Sequence, residues 1–216
     1  MAALFNRSAN LVFGLTVTAV FGAVAAVPVG LVLYMQSPDA HAQFIPVDQP
    51  VAFDHRHHVR DDGIDCFYCH SEARISPSAG VPSTELCMGC HNQVWSSSIM
   101  IEPIRQSYFA DRPIAWNRVH ALPEHVHFNH AIHVNRGIGC VSCHGRVDQM
   151  ARVEKVAPLT MQWCLECHRH PESRLRPLSA ITDMEWRAPG DPEAFGQRMA
   201  REYGVRRLTH CTTCHR

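Results

Sequence analysis

The sequence predicts short α-helices joined by long irregular connections, one long apolar helix near the N-terminus, and little or no sheet. Three observations lead to this prediction. All ten cysteines of the 216-residue chain fall into five CxxCH motifs, and none is left over. No charged residue occurs between Arg7 and Asp39. Aromatic residues make up only 8% of the chain, so the part beyond the apolar run would have a thin core if side chains alone filled it.

The CxxCH motif is the attachment signature of c-type haem. Its cysteines share one face of a helical turn, where each thiol can add to a haem vinyl group, and the histidine that follows reaches the iron. Five motifs that use every cysteine favour this interpretation over zinc, redox or disulfide functions. The predicted fold class is a multihaem cytochrome c, mostly irregular, with short α-helices around five covalently bound haems and one transmembrane helix.

The motifs name the residues that would hold each haem. The predicted thioether cysteines are Cys66, Cys69, Cys87, Cys90, Cys140, Cys143, Cys164, Cys167, Cys211 and Cys214. The predicted proximal iron ligands are His70, His91, His144, His168 and His215. Because five macrocycles take the place of an ordinary core, we expect the haem-bearing part not to fold without haem.

Residues 1–36 are predicted to form a transmembrane anchor, because the run from Leu11 to Met35 is long enough to cross a bilayer. A cleaved signal peptide is the alternative, since residues 40–42 (AHA) resemble a cleavage site and Arg7 supplies a basic start. The run is much longer than the core of a signal peptide, which favours the anchor. Lys and Arg are absent between the helix and Arg56, and haem c is attached outside the cytoplasm. We therefore expect a single-pass protein of the bacterial cytoplasmic membrane with its haems on the periplasmic side.

A stripe of small residues runs along this helix at every fourth position. Its members are Gly14, Thr18, Gly22, Ala26 and Gly30. Such a stripe lets a second membrane helix approach closely, which predicts that the chain is a subunit of a larger complex. The alternative is that glycine and alanine are simply common in membrane helices.

Beyond a linker at residues 37–52, the periplasmic domain is predicted over 53–216 and contains an internal duplication. Two-haem repeats cover about 53–91 and 128–168, and the fifth motif occupies 211–215. Each repeat reads FxHxxH, CxxCH, PxT, CxxCH, which indicates that both solve the same problem of supplying distal ligands to a haem pair. A short helix between Asp191 and Gly204 is predicted to lead to the fifth motif.

Five haems leave five distal positions. The strongest candidates are the four histidines that both repeats retain, His55, His58, His130 and His133. We expect His55 to ligate the haem at Cys66 and His130 the haem at Cys140. Because His58 and His133 lie about one turn further along, they would reach other haems.

His120 is the predicted fifth distal ligand. The alternatives are His125, His127, Met88, Met100, Met150, Met161, Met184 and Met199. A methionine ligand would raise the reduction potential of that haem relative to a pair of histidines. Each methionine, taken singly, is more typical of packing.

The stretch WNRVHALPEHVHFNHAIHVNRGIGCVSCHGRVDQM, followed by LTMQWCLECHRHPE, resembles the pentahaem cytochrome c subunit of alternative complex III, a bacterial quinol:electron-acceptor oxidoreductase. The likeness extends over nearly the whole chain, including the N-terminal helix and the final HCTTCHR. It implies a respiratory electron-transport subunit that relays electrons from quinol to a periplasmic carrier such as a cytochrome c or a small copper protein. It also implies partners: a polytopic quinol-binding subunit, an iron-sulfur subunit and other cytochrome c subunits.

No residue is assigned a catalytic role, and by itself the chain is not expected to be an enzyme. One alternative is a multihaem reductase in which one haem keeps an open position for substrate, but the supply of histidines exceeds the demand. A second is a self-contained, membrane-anchored multihaem quinol dehydrogenase, although such proteins of the tetrahaem type have a different haem count. The formal net charge of zero gives no indication of a nucleic-acid partner.

Overall fold

The computed structural model describes residues 6–215 and divides the chain into two units, residues 1–43 and 44–216. In the first unit, helix α1 spans Arg7–Met35 and has Pro28 in its interior. Residues Ser8–Met35 form a helix of 28 residues that is long and apolar enough to cross a membrane. The expected N-terminal apolar helix is thus present, and a short 3₁₀ turn, Asp39–His41, follows it.

The second unit is built from short helices. They are α2 (Cys66–Cys69), α3 (Thr84–His91), α4 (Glu102–Ala110), α5 (His130–Asn135), α6 (Val141–His144), α7 (Met161–Arg169), α8 (Pro192–Glu202) and α9 (Cys211–Cys214). Shorter 3₁₀ turns occur at Ser71–Arg74, Ile99–Ile101, Val147–Gln149, Pro171–Arg174 and Leu178–Ala180, and a π-helix covers Arg56–Asp61. Within the described residues no strand forms, and an isolated antiparallel bridge joins Ile138 to Leu175. The prediction of short helices, irregular connections and an N-terminal apolar helix is confirmed.

Side-chain caps define where several of these helices begin. Asp65 accepts a hydrogen bond from the Phe67 amide at the start of α2, and Asn129 accepts one from Ile132 at the start of α5. At α8, the Asp191 side chain caps the helix as the sequence predicted. Tyr203 ends that helix, and Gly204 follows with a φ of 61°, a conformation that glycine adopts without strain.

The side-chain core of the second unit is small. One cluster of buried residues contains Val51, Met88, Ile101 and Ile104. Among the described residues, Ile181 is the one large side chain that is fully buried, at 1% exposed. This core is thin for a unit of its length, which agrees with the expectation that other groups must fill the interior.

The segment after the second repeat packs against the third CxxCH motif. The Arg176 side chain is buried, donates from Nη1 to the carbonyls of Ala180 and Asp183, and lies over the Trp186 ring. A Cβ atom on Gly139 would lie 2.3 Å from Arg176 Nε, so this position requires glycine. The residue that follows Gly139 is Cys140, and the buried arginine therefore lies directly beside a haem-attachment motif.

Candidate haem sites

Each CxxCH motif contains a helical turn, and we number the sites 1 to 5 in chain order. They comprise residues 66–70, 87–91, 140–144, 164–168 and 211–215. Helices α2 and α9 are the cysteine-to-cysteine turns of sites 1 and 5, whereas sites 2 and 4 lie toward the ends of α3 and α7. All ten cysteines lie within the described residues, and none is in a disulfide. The turns therefore present both thiols of each motif on one face, as thioether attachment requires.

The two FxHxxH segments have nearly the same ring geometry. Phe53 meets His55 edge-on at 4.8 Å and stacks on His58 at 4.4 Å. Phe128 meets His130 edge-on at 4.8 Å and stacks on His133 at 4.5 Å. The duplication seen in the sequence is therefore also a duplication of side-chain geometry, in which one phenylalanine orients two imidazoles.

The second histidine of each segment faces a proximal histidine. The ring centroids of His58 and His91 lie 6.1 Å apart, and those of His133 and His168 also lie 6.1 Å apart. An imidazole nitrogen binds a transition metal at about 2 Å, so two rings on opposite sides of one metal have centroids about 6 Å apart. The spacing at sites 2 and 4 fits a metal held between two histidines.

The first histidine of each segment lies near the site that follows it in the chain. His130 faces His144 of site 3 at 6.3 Å with an angle of 14° between the rings. Burial and then the neighbouring His70 of site 1 lower the pKa of His55 to about 4. The structure thus brings together His130 and His144, the pair that the sequence predicted for site 3.

At site 5 the ring beside the proximal histidine belongs to His125. The centroids of His125 and His215 lie 5.6 Å apart with an angle of 24°, and the His125 carbonyl accepts a hydrogen bond from His215 Nδ1. His120, the predicted ligand, instead lies 4.5 Å from His144 at 72°. That distance is too short for two ligands on opposite sides of one metal. The sequence names His125 as one of several alternatives to His120. The hydrogen bond puts the His125 carbonyl on the Nδ1 side of His215, away from the Nε2 atom that would bind a metal.

Backbone carbonyls orient the imidazole rings through their Nδ1 atoms. Proximal His70 and His91 make such contacts with Gly80 and Val94, at 2.9 and 3.0 Å. Three distal candidates make the same contact. The Nδ1 atom of His58 lies 2.9 Å from the Asp54 carbonyl, that of His133 2.8 Å from Asn129, and that of His130 3.2 Å from Pro77. When Nδ1 donates, the Nε2 atom carries the lone pair and is free to bind a metal.

Burial keeps these imidazoles neutral. Burial, followed by the neighbouring His120 and His130, lowers the pKa of His144 to about 3. Burial also lowers the pKa values of His130 and His133, in each case against a hydrogen bond to a carbonyl that raises it. A metal binds the neutral ring, so the proton does not compete at neutral pH.

Burial has the matching effect on the thiols, because it raises the pKa of Cys143 to about 12 and also raises those of Cys69, Cys164 and Cys167. The residues present, neutral imidazoles in facing pairs beside paired thiols, fit covalently bound haem.

The remaining histidines have other surroundings. His57 is exposed and pairs with Asp61 at 3.1 Å, and it has no histidine counterpart in the second repeat. His41 contacts the Met35 carbonyl through Nε2, the nitrogen that a ligand would keep free. His120 Nε2 is buried without a hydrogen-bond partner among the described residues.

Short helical turns with paired cysteines and facing imidazoles are the features by which multihaem cytochromes c bind haem c covalently. Residues 126–216 match the family model described as cytochrome c7 and related cytochrome c. The matched residues include sites 3 to 5. The chain is also similar to the multihaem cytochrome c subunit of menaquinone reductase from Nitratidesulfovibrio vulgaris. The two are 34% identical over 102 residues, which cover 45% of this chain and 46% of that protein. The chain therefore matches less than half the length of this curated relative.

Proposed function

We propose that this chain is a membrane-anchored pentahaem cytochrome c that relays electrons between a membrane quinone pool and a periplasmic redox protein. In the more specific form of this proposal, it carries electrons from quinol oxidation to a periplasmic acceptor as a subunit of an alternative complex III-like complex. It is not an enzyme by itself, since quinol chemistry takes place in a partner subunit.

The facing histidine pairs carry the proposal. His58, His130 and His133 each lie 6.1 to 6.3 Å from a proximal ring. We assign as distal ligands these three and His55, which has the same ring geometry in the first repeat as His130 has in the second. We keep His120, whose buried Nε2 atom has no hydrogen-bond partner among the described residues, as the fifth. A haem held between two histidines would keep no position for substrate and would supply one-electron transfer.

The protein side of this function is to hold the ligands still. Phe53 and Phe128 fix the angles of the imidazoles, and the Nδ1 contacts with carbonyls fix their tautomer. Burial excludes water from the rings and keeps them neutral. These effects reduce the rearrangement of ligands that each change of charge would otherwise cause.

The domain organisation and location follow from the same proposal. Residues 1–36 anchor the chain, 37–52 link the anchor to the haem domain, and 53–216 bind five haems on the periplasmic side of a bacterial cytoplasmic membrane. Helix α1 supports this arrangement by its length and by its exposed apolar side chains. The proposed partners are a polytopic quinol-binding subunit, an iron-sulfur subunit, other cytochrome c subunits and a soluble periplasmic carrier.

A second candidate function reverses the direction of electron flow. The similar protein from Nitratidesulfovibrio vulgaris is named as a subunit of a menaquinone reductase. By that likeness the chain would take electrons from a periplasmic donor and pass them to menaquinone in the membrane. Both functions use the same haem sites and differ in the potentials of the partners.

Purification of the intact complex from membranes tests both candidates. We expect polytopic membrane subunits to co-purify with the chain, and menaquinol to reduce its haems only in the whole complex. Oxidation of menaquinol coupled to reduction of a soluble cytochrome c supports the first direction, and the reverse reaction supports the second. Quinol oxidation by the isolated chain would contradict both and favour a self-contained dehydrogenase.

Carbon monoxide separates electron transfer from substrate chemistry. Ferrous haem binds carbon monoxide when a position on the iron is open, so we expect no binding to the reduced native protein. Stoichiometric binding would overturn the assignment of two histidines to every haem and would favour a multihaem reductase.

A further inference from the structure

We infer that the five sites form a single row in the order 2, 1, 3, 4, 5, so that the second and fifth CxxCH motifs are its two ends. This order differs from the chain order and depends on the proposed function only in assuming that all five motifs carry haem. It implies that redox partners approach the row at Cys87–His91 and at Cys211–His215, whereas sites 1, 3 and 4 lie between them.

Sites 2 and 1 are joined through the first FxHxxH segment. His58, in the π-helix Arg56–Asp61, faces His91 of site 2. The His58 carbonyl accepts a hydrogen bond from the Ile64 amide at 2.9 Å, and Ile64 lies two residues before Cys66 of site 1. His58 therefore joins the two sites, which are neighbours in the row.

Sites 4 and 3 are joined in the same way through the second segment. His130 and His133, both in α5, face His144 of site 3 and His168 of site 4. Each repeat therefore contributes one adjacent pair to the row.

Sites 1 and 3 meet where the two repeats join. The Cys140 amide donates to the Ile181 carbonyl at 3.1 Å, and the next residue, Thr182, donates from its hydroxyl to Asp65 at 2.7 Å. Asp65 directly precedes Cys66, so two consecutive residues connect the starts of both motifs.

Site 5 adjoins site 4. Arg207, four residues before Cys211, forms an ion pair with Glu172 at 3.1 Å. Glu172 follows His168 by four residues and packs closely against α8, because a Cβ on Gly196 would lie 2.0 Å from its carbonyl oxygen.

Exposure of the cysteines agrees with these ends. Within the described residues, eight of the ten cysteines are partly buried, and the two exposed ones are Cys90 and Cys211. These belong to sites 2 and 5, which the contacts above place at opposite ends of the row. Sites in the interior of a row are covered on both sides by neighbours.

The direct test is the iron order in the holoprotein. We expect a cryo-electron microscopy map of the full-length protein in its native complex to show the irons in the order 2, 1, 3, 4, 5. Site 5 next to site 1 or 2, or site 2 next to site 3 or 4, would overturn the inference. This readout does not involve quinol, so the order and the proposed function can each fail while the other holds.

Redox coupling supplies a second test. Neighbouring haems shift each other's midpoint potentials through their charges. The full-length variants are titrated by spectropotentiometry. C211A/C214A and C87A/C90A each remove an end site, so each is expected to shift the potential of one remaining haem. C140A/C143A, in the middle of the row, is expected to shift two. Two shifted haems after loss of an end site would contradict the order, and the wild-type map decides the question if the middle variant does not fold.

Discussion

Among the histidines assigned as ligands, His58 and His133 divide their two ring nitrogens between two tasks. In His58 and His133 the Nδ1 atom contacts a carbonyl four residues earlier, and the ring stacks on a phenylalanine five residues earlier. The Nε2 atom is left to face a proximal ring about 6 Å away. The FxHxxH pattern is therefore a local device that prepares a ligand before any metal arrives.

Methionine at position 120 tests the predicted fifth distal ligand. In H120M, a sulfur ligand would replace a nitrogen ligand, so we expect a near-infrared magnetic circular dichroism band for methionine-ligated haem at one-fifth of the haem content and a raised potential for one haem. The matched change H125M, at an exposed position, is expected to produce no such band. A band in H125M but not in H120M would make His125 the ligand.

Loss of a phenylalanine tests the packing of the imidazoles. Phe128 contacts both His130 and His133, so F128A is expected to destabilise the full-length holoprotein by about 3 kcal/mol, at the low end for phenylalanine-to-alanine changes. F53A is its counterpart in the first repeat. F109A alters a side chain that is 78% exposed and should cost less than about 0.5 kcal/mol. Denaturant unfolding followed by haem absorbance measures all three, and equal effects would argue against a role for Phe128.

The sequence is sufficient to identify the residues that belong to a CxxCH motif or recur in the internal repeat. The proximal histidines are adjacent to their cysteines, and His55, His58, His130 and His133 recur in step. His125 has neither property, and its contact with His215 joins residues 90 positions apart. Such contacts follow from how the connections pack around the haems, and no local pattern predicts them.

At the scale of elements, α8 connects the second repeat to the fifth motif through a close backbone approach. Gly196 faces the Glu172 carbonyl, where a Cβ would lie at 2.0 Å, and Phe195 beside it is buried against Trp186. The sequence predicted this helix from Asp191, Pro192 and Gly204. It did not predict the glycine contact, since a lone glycine inside a helix does not reveal which neighbour requires it.

Alanine at position 196 tests this contact. Because the new Cβ meets backbone, G196A should push α8 away from Pro171–Arg174, at a cost of about 1–3 kcal/mol or more. We expect lower haem content, with site 5 affected first, by pyridine haemochrome assay and mass spectrometry. Q197A, at the next position of α8, is the control and should keep full haem content. Normal haem content in G196A would show that the approach is not needed.

Leucine at position 22 tests whether α1 packs against a partner helix. A Cβ on Gly22 would have nothing within 4 Å, so G22L leaves the described contacts of the chain unchanged. If the small-residue stripe is a packing face, G22L should reduce co-purification of membrane subunits several-fold, at unchanged haem content. V24L, about half a turn away, adds bulk on the opposite face as a control. Full retention of partners in G22L would contradict a packing role for the stripe.

At the scale of the whole molecule, we expect the haems to fill the interior that apolar side chains fill in other proteins. The buried apolar side chains of residues 44–215 are few, and most of the chain is short helix or irregular connection. The sequence indicated this shortage through its low aromatic content and the use of every cysteine in a motif. What it could not indicate was the spatial arrangement of the sites, because that depends on hydrogen bonds between segments far apart in the chain.

Removal of haem attachment is therefore expected to abolish the fold of residues 44–215. Full-length protein made in cells that lack cytochrome c maturation should lose most of its helical circular dichroism outside α1. It should also be degraded by trypsin at concentrations that leave the holoprotein intact. A protease-resistant fragment of this region without haem would contradict the prediction.

The pair Ile181 and Thr182 links the starts of sites 1 and 3, yet it belongs to neither repeat. Two copies of a two-haem module, however faithfully duplicated, contain nothing that sets the distance between them. Here a later segment that is not repeated sets this distance. The Arg176 side chain donates to the Asp183 carbonyl of that segment and packs against Gly139. Duplication of the two-haem unit by itself would give two pairs of sites with no fixed distance between them. The segment that contains Ile181 and Thr182 fixes this distance, so that electrons can pass from one pair to the other.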